Sequence, residues 1–460
     1  MRSTWKDYIV ELIYLVFTGL IVVAPALYNR YPLMYFDSGA YMEMAANLEP
    51  SFHRAFGYPF LMKITGFVVS NWPIVMLQGM LVSYLLSRVM MPFFAERDRR
   101  WFHFLAVVLL SFFTSLSWYA AQLMPDIFTL IAVLSLAVVI RGQGDSVRRK
   151  AFHTLLLGLS LLTHLSHIPM VLMLLVSLAF IHFFVERPDL KALLRKYMVS
   201  MAVLVTSFLV VCTFNAVHQH GFRLSLASNA FITASLGEMG ILKMYLDENC
   251  ENSSLSLCAI KDDLPLETYG YLWDPEGPVQ KHELGWEGAN QEFAPVVRDF
   301  MSKPRYLKWL VFASVKATFK QMAQIELGSG LQYAYGEGTP PYWPMKSHFK
   351  QELNEYLISV QNKGDKLPLE FFRVLNYISL MLSLLLIGWA IMNRKFSKEL
   401  AFLFILFVLA YVFNAAITGV LANVYERLQC RLLPLIQLLG LIIALQIPKP
   451  YFLSGSTESK

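Results

Sequence analysis

Residues 399–420 read ELAFLFILFVLAYVFNAAITGV, and Glu399 at the first position carries the only charge in the stretch. A helix of about 20 apolar residues spans a hydrocarbon layer of about 30 Å. Inside that layer backbone N–H and C=O groups find no water, so the run must satisfy them internally as a helix. Working outward in both directions, comparable runs recur at roughly 8–28, 71–94, 102–121, 126–141, 151–167, 168–185, 197–216, 371–392 and 430–447. With 399–420 this predicts ten transmembrane helices. The whole composition agrees: 56% of the 460 residues are hydrophobic and only 16% charged, against about 25% charged in soluble domains. The first run is too long and too apolar for a transit peptide and is followed by no clear small-residue cleavage site, so it is expected to stay as an anchor.

The net charge of +6 does not point to nucleic acid, because the basic residues sit in short loops between runs. With Arg2 and Lys6 placed in the cytoplasm, one side receives Arg97, Arg99 and Arg100; Arg141, Arg148, Arg149 and Lys150; Arg187, Lys191, Arg195 and Lys196; and Arg394, Lys395 and Lys398. That is the positive-inside pattern, with both termini cytoplasmic. The chain then divides into an N-terminal membrane module (1–216) with an external loop at 29–70, an external domain (217–370), and a C-terminal module (371–460) ending in a short cytoplasmic tail. Within the external domain, Tyr306 to Leu327 has a helical pattern. Lys308, Lys316 and Lys320 suit it to the membrane surface better than to a span. Cys250 and Cys258 are close enough for a local disulfide in an oxidising compartment; the spacing leaves bridge and free thiols both open.

Ionisable groups near a bilayer are costly and mark function. In this chain they gather on the external side. Asp37 precedes a helix-like stretch, where it could cap the helix or act as a general base. His53 and Arg54 precede a Gly57-Tyr58-Pro59 turn, and Arg suits phosphate through paired donors. Asp126 follows Pro125 at the start of the fourth run, again as cap or functional carboxylate. His164 and His167 share a helix face as a candidate metal or phosphate pair, or as ordinary helix residues. Arg427 and Arg431 share a face at the mouth of the last run, suited to a salt bridge or to a lipid phosphate.

In layout this chain resembles the polytopic glycosyltransferases of the GT-C fold, which include protein O-mannosyltransferases and the enzyme that adds aminoarabinose to lipid A. The motifs that carry the resemblance are Asp37 in the first external loop, Gly57-Tyr58-Pro59 after it, Met124-Pro125-Asp126 before the fourth run, and arginines at the last external mouth. No acidic pair follows the first run, and the external domain matches no family domain. The resemblance implies an all-α membrane enzyme that moves a sugar from a polyprenyl-phosphate donor to a glycan, lipid or protein acceptor. Asp37 and Asp126 would be the catalytic pair. Arg54, His53, Tyr58, His164, His167, Arg427 and Arg431 would bind substrate, and a divalent cation such as Mg or Mn stays open as a cofactor. The external domain, rich in Trp and Tyr, would face the acceptor. A bacterial inner membrane with a periplasmic active site is the expected setting. A transporter or flippase for lipid-linked saccharides, or a polymerase, is the alternative, although the chain shows no repeated halves with paired broken helices.

Overall fold

The computed structural model describes residues 5–142, 145–364 and 367–447. Arg2 and the tail 448–460 lie outside the described residues. Labelled in chain order, the principal helices are α1 (Trp5–Val22), α2 (Ser38–Asn47), α3 (Gly57–Gly66), α4 (Trp72–Met90), α5 (Arg99–Phe113), α6 (Ile127–Arg141), α7 (Val147–Thr163), α8 (His167–Glu186), α9 (Leu190–Val217), α10 (Ser228–Glu238), α11 (Pro304–Met322), α12 (Leu369–Met392), α13 (Lys398–Leu421), α14 (Glu426–Cys430) and α15 (Leu433–Gln446). Among the described residues there is no strand, only an isolated parallel bridge between Leu33 and Gln122.

Among the described residues, six helical segments are long and apolar enough to cross a membrane: Trp72–Phe93, His167–Glu186, Leu190–Val217, Leu369–Met392, Lys398–Leu421 and Glu426–Gln446. The chain is therefore an all-α, multi-pass integral membrane protein. The other apolar runs are helical too, but shorter or more charged. The run at 102–121 is broken: α5 stops at Phe113 and Thr114 turns extended. The Thr114 hydroxyl donates to Leu110 O and accepts from Leu116 N, while Ser117 donates to Ser111 O. These short hydroxyl side chains compete with the helical ladder for its own backbone groups.

Helices α1 and α4, α6 and α7, α8 and α9, and α12 and α15 pack pairwise, and α13 lies against α8, α11 and α15. The basic loops come together at one end. Tyr14 donates to Arg100 O, Arg88 pairs with Asp145, and the Arg141 guanidinium lies over Phe93 and Phe402. The loops that carry Asp37, Asp126, His164 and Arg427 meet at the other.

The stretch 217–370 is not one unit. Residues Ala230 to Ala313 contribute a separate core that includes Leu236, Tyr271, Phe293 and Phe300. Leu327, Tyr335, Met345, Phe349 and Tyr356 join the core of the membrane helices instead. Tyr31, Ser70 and the Asn71 backbone all donate to the buried Glu352 carboxylate, which ties this second part to the loop 29–70 and the start of α4. Cys250 and Cys258 form a disulfide within the first part. The segment expected as a membrane-surface helix is helical as α11 but docks along α13. Tyr411 donates to Met322 O, and Gly419 abuts the Ala317 carbonyl. The opposite side of α11 leaves Val311, Phe312, Val315 and Phe319 exposed.

Helices approach closely where a small residue permits it. A Cβ on Gly440 of α15 would lie 2.5 Å from the Ser383 Cβ of α12, whereas one on Gly388 of α12 would meet nothing within 4 Å. Gly440→Leu is expected to cost about 3 kcal/mol or more by overpacking and to lower the melting midpoint in detergent. Gly388→Leu should leave the midpoint within a degree or so of the parent. Equal melting of the two variants would contradict the packing described.

Candidate active site

Asp37 stands at the start of α2 and Asp126 at the start of α6, yet neither carboxylate bonds its own helix. Both turn inward to arginine, which corrects the capping reading of each. Arg54 Nη2 lies 2.5 Å from Asp37 Oδ1, and Arg427 Nη2 lies 3.1 Å from Asp37 Oδ2. The other arm of Arg427 reaches Asp126 Oδ2 at 3.2 Å, and Arg431 reaches Asp126 Oδ1 at 3.2 Å. Arg431 then donates to Asn414 Oδ1, and Asn414 donates to Gln429 Oε1 and to Leu428 O. The result is an alternating ladder, Arg54–Asp37–Arg427–Asp126–Arg431, that joins three loops far apart in sequence. It carries three guanidinium groups against two carboxylates.

The ladder runs from depth to surface. Arg431 is 0% and Asp126 2% exposed, whereas Asp37 retains 18%. Charges this deep persist only when paired and hydrogen-bonded. The Arg427 guanidinium also lies 4.2 Å above the Tyr35 ring. That ring needs Gly330, which sits at φ +84 and whose Cβ would fall 1.9 Å from Tyr35 Cε2. Tyr35 and Ser329 both donate to the Tyr425 hydroxyl, so α14 and the 329–330 turn are held together.

Arg54, Asp37, Asp126 and Arg427 border a cavity of about 1130 Å³, larger than the 300–1,000 Å³ or so of a typical small-ligand site. Another part of its wall comes from the first part of the 217–370 stretch and includes Phe231, Tyr269 and Trp273. Trp273 and Trp286 pack around the His53 ring at 4.8 and 5.4 Å, and Trp273 also faces the Arg54 guanidinium at 5.6 Å.

Burial works to raise the Asp37 carboxyl, but Arg54 and then Arg427 outweigh it and hold Asp37 below the usual carboxylate value of 3.8. Burial, with Arg54 adding, pushes His53 down to about 3, so its ring is neutral near pH 7. His164 borders the cavity with its ring bonded to Ser166.

The remaining expected residues face elsewhere. His167 is a core histidine, with Nε2 on the Thr129 hydroxyl and Nδ1 on Ser160 O. The two rings lie 5.4 Å apart between centroids, and of the two only His164 borders the cavity. Tyr58 is buried and donates to Gln78, stacked edge-on against Tyr41 and Phe128. It supports the ladder's floor and does not border the cavity. Arg431 braces Asp126 from behind and does not border the cavity either. Asn414, Tyr35 and Trp273 were not anticipated. The signal for Asn414 was available, since it is an amide in the middle of an apolar run. A divalent cation does not fit the two carboxylates, because all four of their oxygens already receive guanidinium donors. Among the described residues no group of three or more His, Cys, Asp or Glu converges as a metal site.

No family model, curated protein or solved structure matches this chain.

Breaking a buried ion pair from one side costs about 3–5 kcal/mol. Asp126→Asn and Arg431→Gln should each destabilise by that order, and the double variant by less than their sum, because both charges leave together. Thermal melts of the four proteins check this; full additivity would mean that the pair does not interact. Asp37 adds a pH signature. Its folded value lies below its unfolded one, so its contribution is complete above about pH 4 and fades as pH falls through the lower folded value. In Asp37→Asn that acid-side loss should disappear.

Proposed function

We propose that this chain is a membrane glycosyltransferase of the GT-C kind, moving a sugar from a polyprenyl-phosphate donor to a glycan, lipid or protein acceptor. The observation that carries this reading is the ladder's composition. It is a buried array of alternating arginines and carboxylates whose Arg54 and Arg427 border a large cavity beside Asp37, with Glu238, Glu267, Glu426 and Lys320 elsewhere on the wall. The planar paired donors of guanidinium groups match phosphate oxygens.

In the proposed reaction the donor phosphate is held by Arg427 and Arg54. The acceptor hydroxyl or amine attacks the anomeric carbon, and its proton passes to Asp37. The bond from that carbon to the phosphate oxygen breaks, and the polyprenyl phosphate leaves with the electron pair, its charge stabilised by the arginines. Attack from the face opposite the phosphate inverts the anomeric centre. Asp126 holds Arg427 in position between the two rows of charge. The aromatic wall around Trp273 and Tyr269 offers flat faces to an acceptor sugar ring.

The same reading takes the ten apolar runs as ten spans. The ladder end then lies at the outer face, and the basic loops and both termini in the cytoplasm of a bacterial inner membrane. The positive-inside distribution supports this orientation, as does the clustering of those loops at one end of the bundle. A disulfide between Cys250 and Cys258 on the opposite side suits an oxidising compartment. A transporter of lipid-linked saccharides remains the alternative, and the assay below separates it.

Purified protein in nanodiscs is expected to transfer label from a panel of polyprenyl-phosphate sugars to a membrane extract. Asp37→Asn should lose about 100-fold or more, the scale of a general base. Arg427→Gln should lose a comparable factor by removing charge stabilisation at the leaving phosphate. Because Asp37 stays ionised down to below its usual value, it should impose no loss of rate between about pH 5 and pH 7. Translocation of labelled lipid without transfer from any donor would replace the enzyme with the transporter.

A further inference from the structure

Asp37 is held in a way that opposes its proposed task. A general base works best when its proton affinity lies near the working pH. Yet each oxygen of Asp37 faces a guanidinium, Arg54 at 2.5 Å and Arg427 at 3.1 Å. Two cations in contact lower the affinity of a carboxylate for a proton. For Asp37 to accept one during transfer, at least one arginine must let go.

The two arginines are not equally free to do so. Arg427 lies on α14, bonds a second carboxylate through its other arm, and has its backbone carbonyl tied by the Tyr119 hydroxyl. Arg54 lies in the segment 51–56, which has no helix or strand. Besides Asp37 it bonds only the neighbouring His53 carbonyl, at 2.9 Å, and packs against the Tyr41 and Trp273 rings at 5.8 and 5.6 Å. The Nε of Arg54 is buried without an acceptor, as are those of Arg427 and Arg431, so the difference lies in their other partners. The Arg54 side chain also borders the cavity.

We propose that Arg54 is a positioning residue that masks Asp37 until an entering phosphate draws its guanidinium away, so that the base is released only once the donor is seated. The proposal rests on the transferase reading and adds an order to it: phosphate first, proton transfer second. The donor's phosphodiester carries one negative charge and two free oxygens, like the carboxylate, so it competes for a planar donor on equal terms, and the charge that grows on it as the sugar leaves strengthens its hold on Arg54. With Arg54 withdrawn, Asp37 keeps Arg427 as orienting partner and regains basicity. The groups facing Asp37 are Arg54 and His53 from the 51–56 segment, Arg427 from α14, Asp126 from the turn before α6, Tyr35 on its own segment, Tyr41 from α2 and Tyr335 from the second part of the external region. Of these, Arg54 is the cation with no second carboxylate to hold it. Trp273, which touches both Arg54 and His53, links the first part of the external region to this release.

The test is infrared difference spectroscopy on protein carrying ¹³C-carboxyl aspartate in nanodiscs. The probe is a polyprenyl monophosphate without sugar, and its binding is measured separately on the same samples. Subtraction of Asp37→Asn isolates the Asp37 carboxylate band. The wild-type spectrum with and without probe is read as well, so the result does not depend on how any variant folds. The expected result is a shift of the Asp37 band on saturation with probe. In Arg54→Gln the band should already stand at the shifted position and move no further, and in Arg54→Lys it should start between the two. Saturable binding with an unmoved Asp37 band would overturn the masking role and leave the transferase reading intact. So would a wild-type band position in Arg54→Gln. No binding of the polyprenyl phosphate at all would remove the donor reading itself, and the masking role with it.

Discussion

Asp126, fixed between Arg427 and Arg431, is the interaction on which the rest of the site depends. A single carboxylate at 2% exposure would be prohibitively costly alone. Two guanidinium groups make it tolerable, and in return it fixes the direction of both. Arg431 is held further by Asn414, and Asn414 by Gln429, so the deep end of the ladder is anchored in α13 and α14. Arg427 is thereby aimed at Asp37 across the cavity wall. The first external loop, the turn before α6 and the mouth of the last helix are joined by charge in a region where the backbone supplies no sheet to join them.

That arrangement also bears on why residues 217–370 contribute to two separate cores. The part from 325 to 367 packs into the core of the membrane helices and supplies Gly330, Ser329 and Glu352. These hold Tyr35, Tyr425 and Tyr31 beneath and beside the ladder. The part around Ala230 to Ala313 has its own core and touches the ladder only at its outer end, through Trp273 on Arg54. The inner end is thus rigid by packing, while the outer end rests on ring contacts and one backbone bond. Arg54, with one carboxylate and one neighbouring carbonyl as its hydrogen-bond partners, stands at the less tightly held end.

The apolar runs made the helical membrane architecture legible, because hydrocarbon leaves the backbone no choice. What the sequence could not supply was the direction of each side chain. Asp37 and Asp126 both read as helix caps, and both occupy cap positions, yet long-range arginines outcompeted the local amides. His164 and His167 share a helix face in periodicity, but the helix begins only at His167, so the turn at 164–166 sends one ring to the cavity and the other into the core. Tyr58 looked like a site residue because it follows a glycine and precedes a proline; its hydroxyl instead closes a buried bond to Gln78. The division of 217–370 was hidden because both parts share the same Trp- and Tyr-rich composition.

A membrane enzyme that binds a lipid phosphate faces a particular electrostatic problem. The site must be cationic enough to attract the phosphate and must still present a usable base within a few ångströms of it. Guanidinium groups that attract the one suppress the other. An odd number of arginines alternating with carboxylates resolves the conflict without large motion. With no phosphate present, the carboxylates keep the cations paired and the wall stable. On the proposed release, an anion entering at the exposed end draws Arg54 away and Asp37 gives up one of its two cations. The deep pairs need not change, because Asp126 keeps both Arg427 and Arg431. The same ladder can therefore stabilise the fold at one end and change its state at the other.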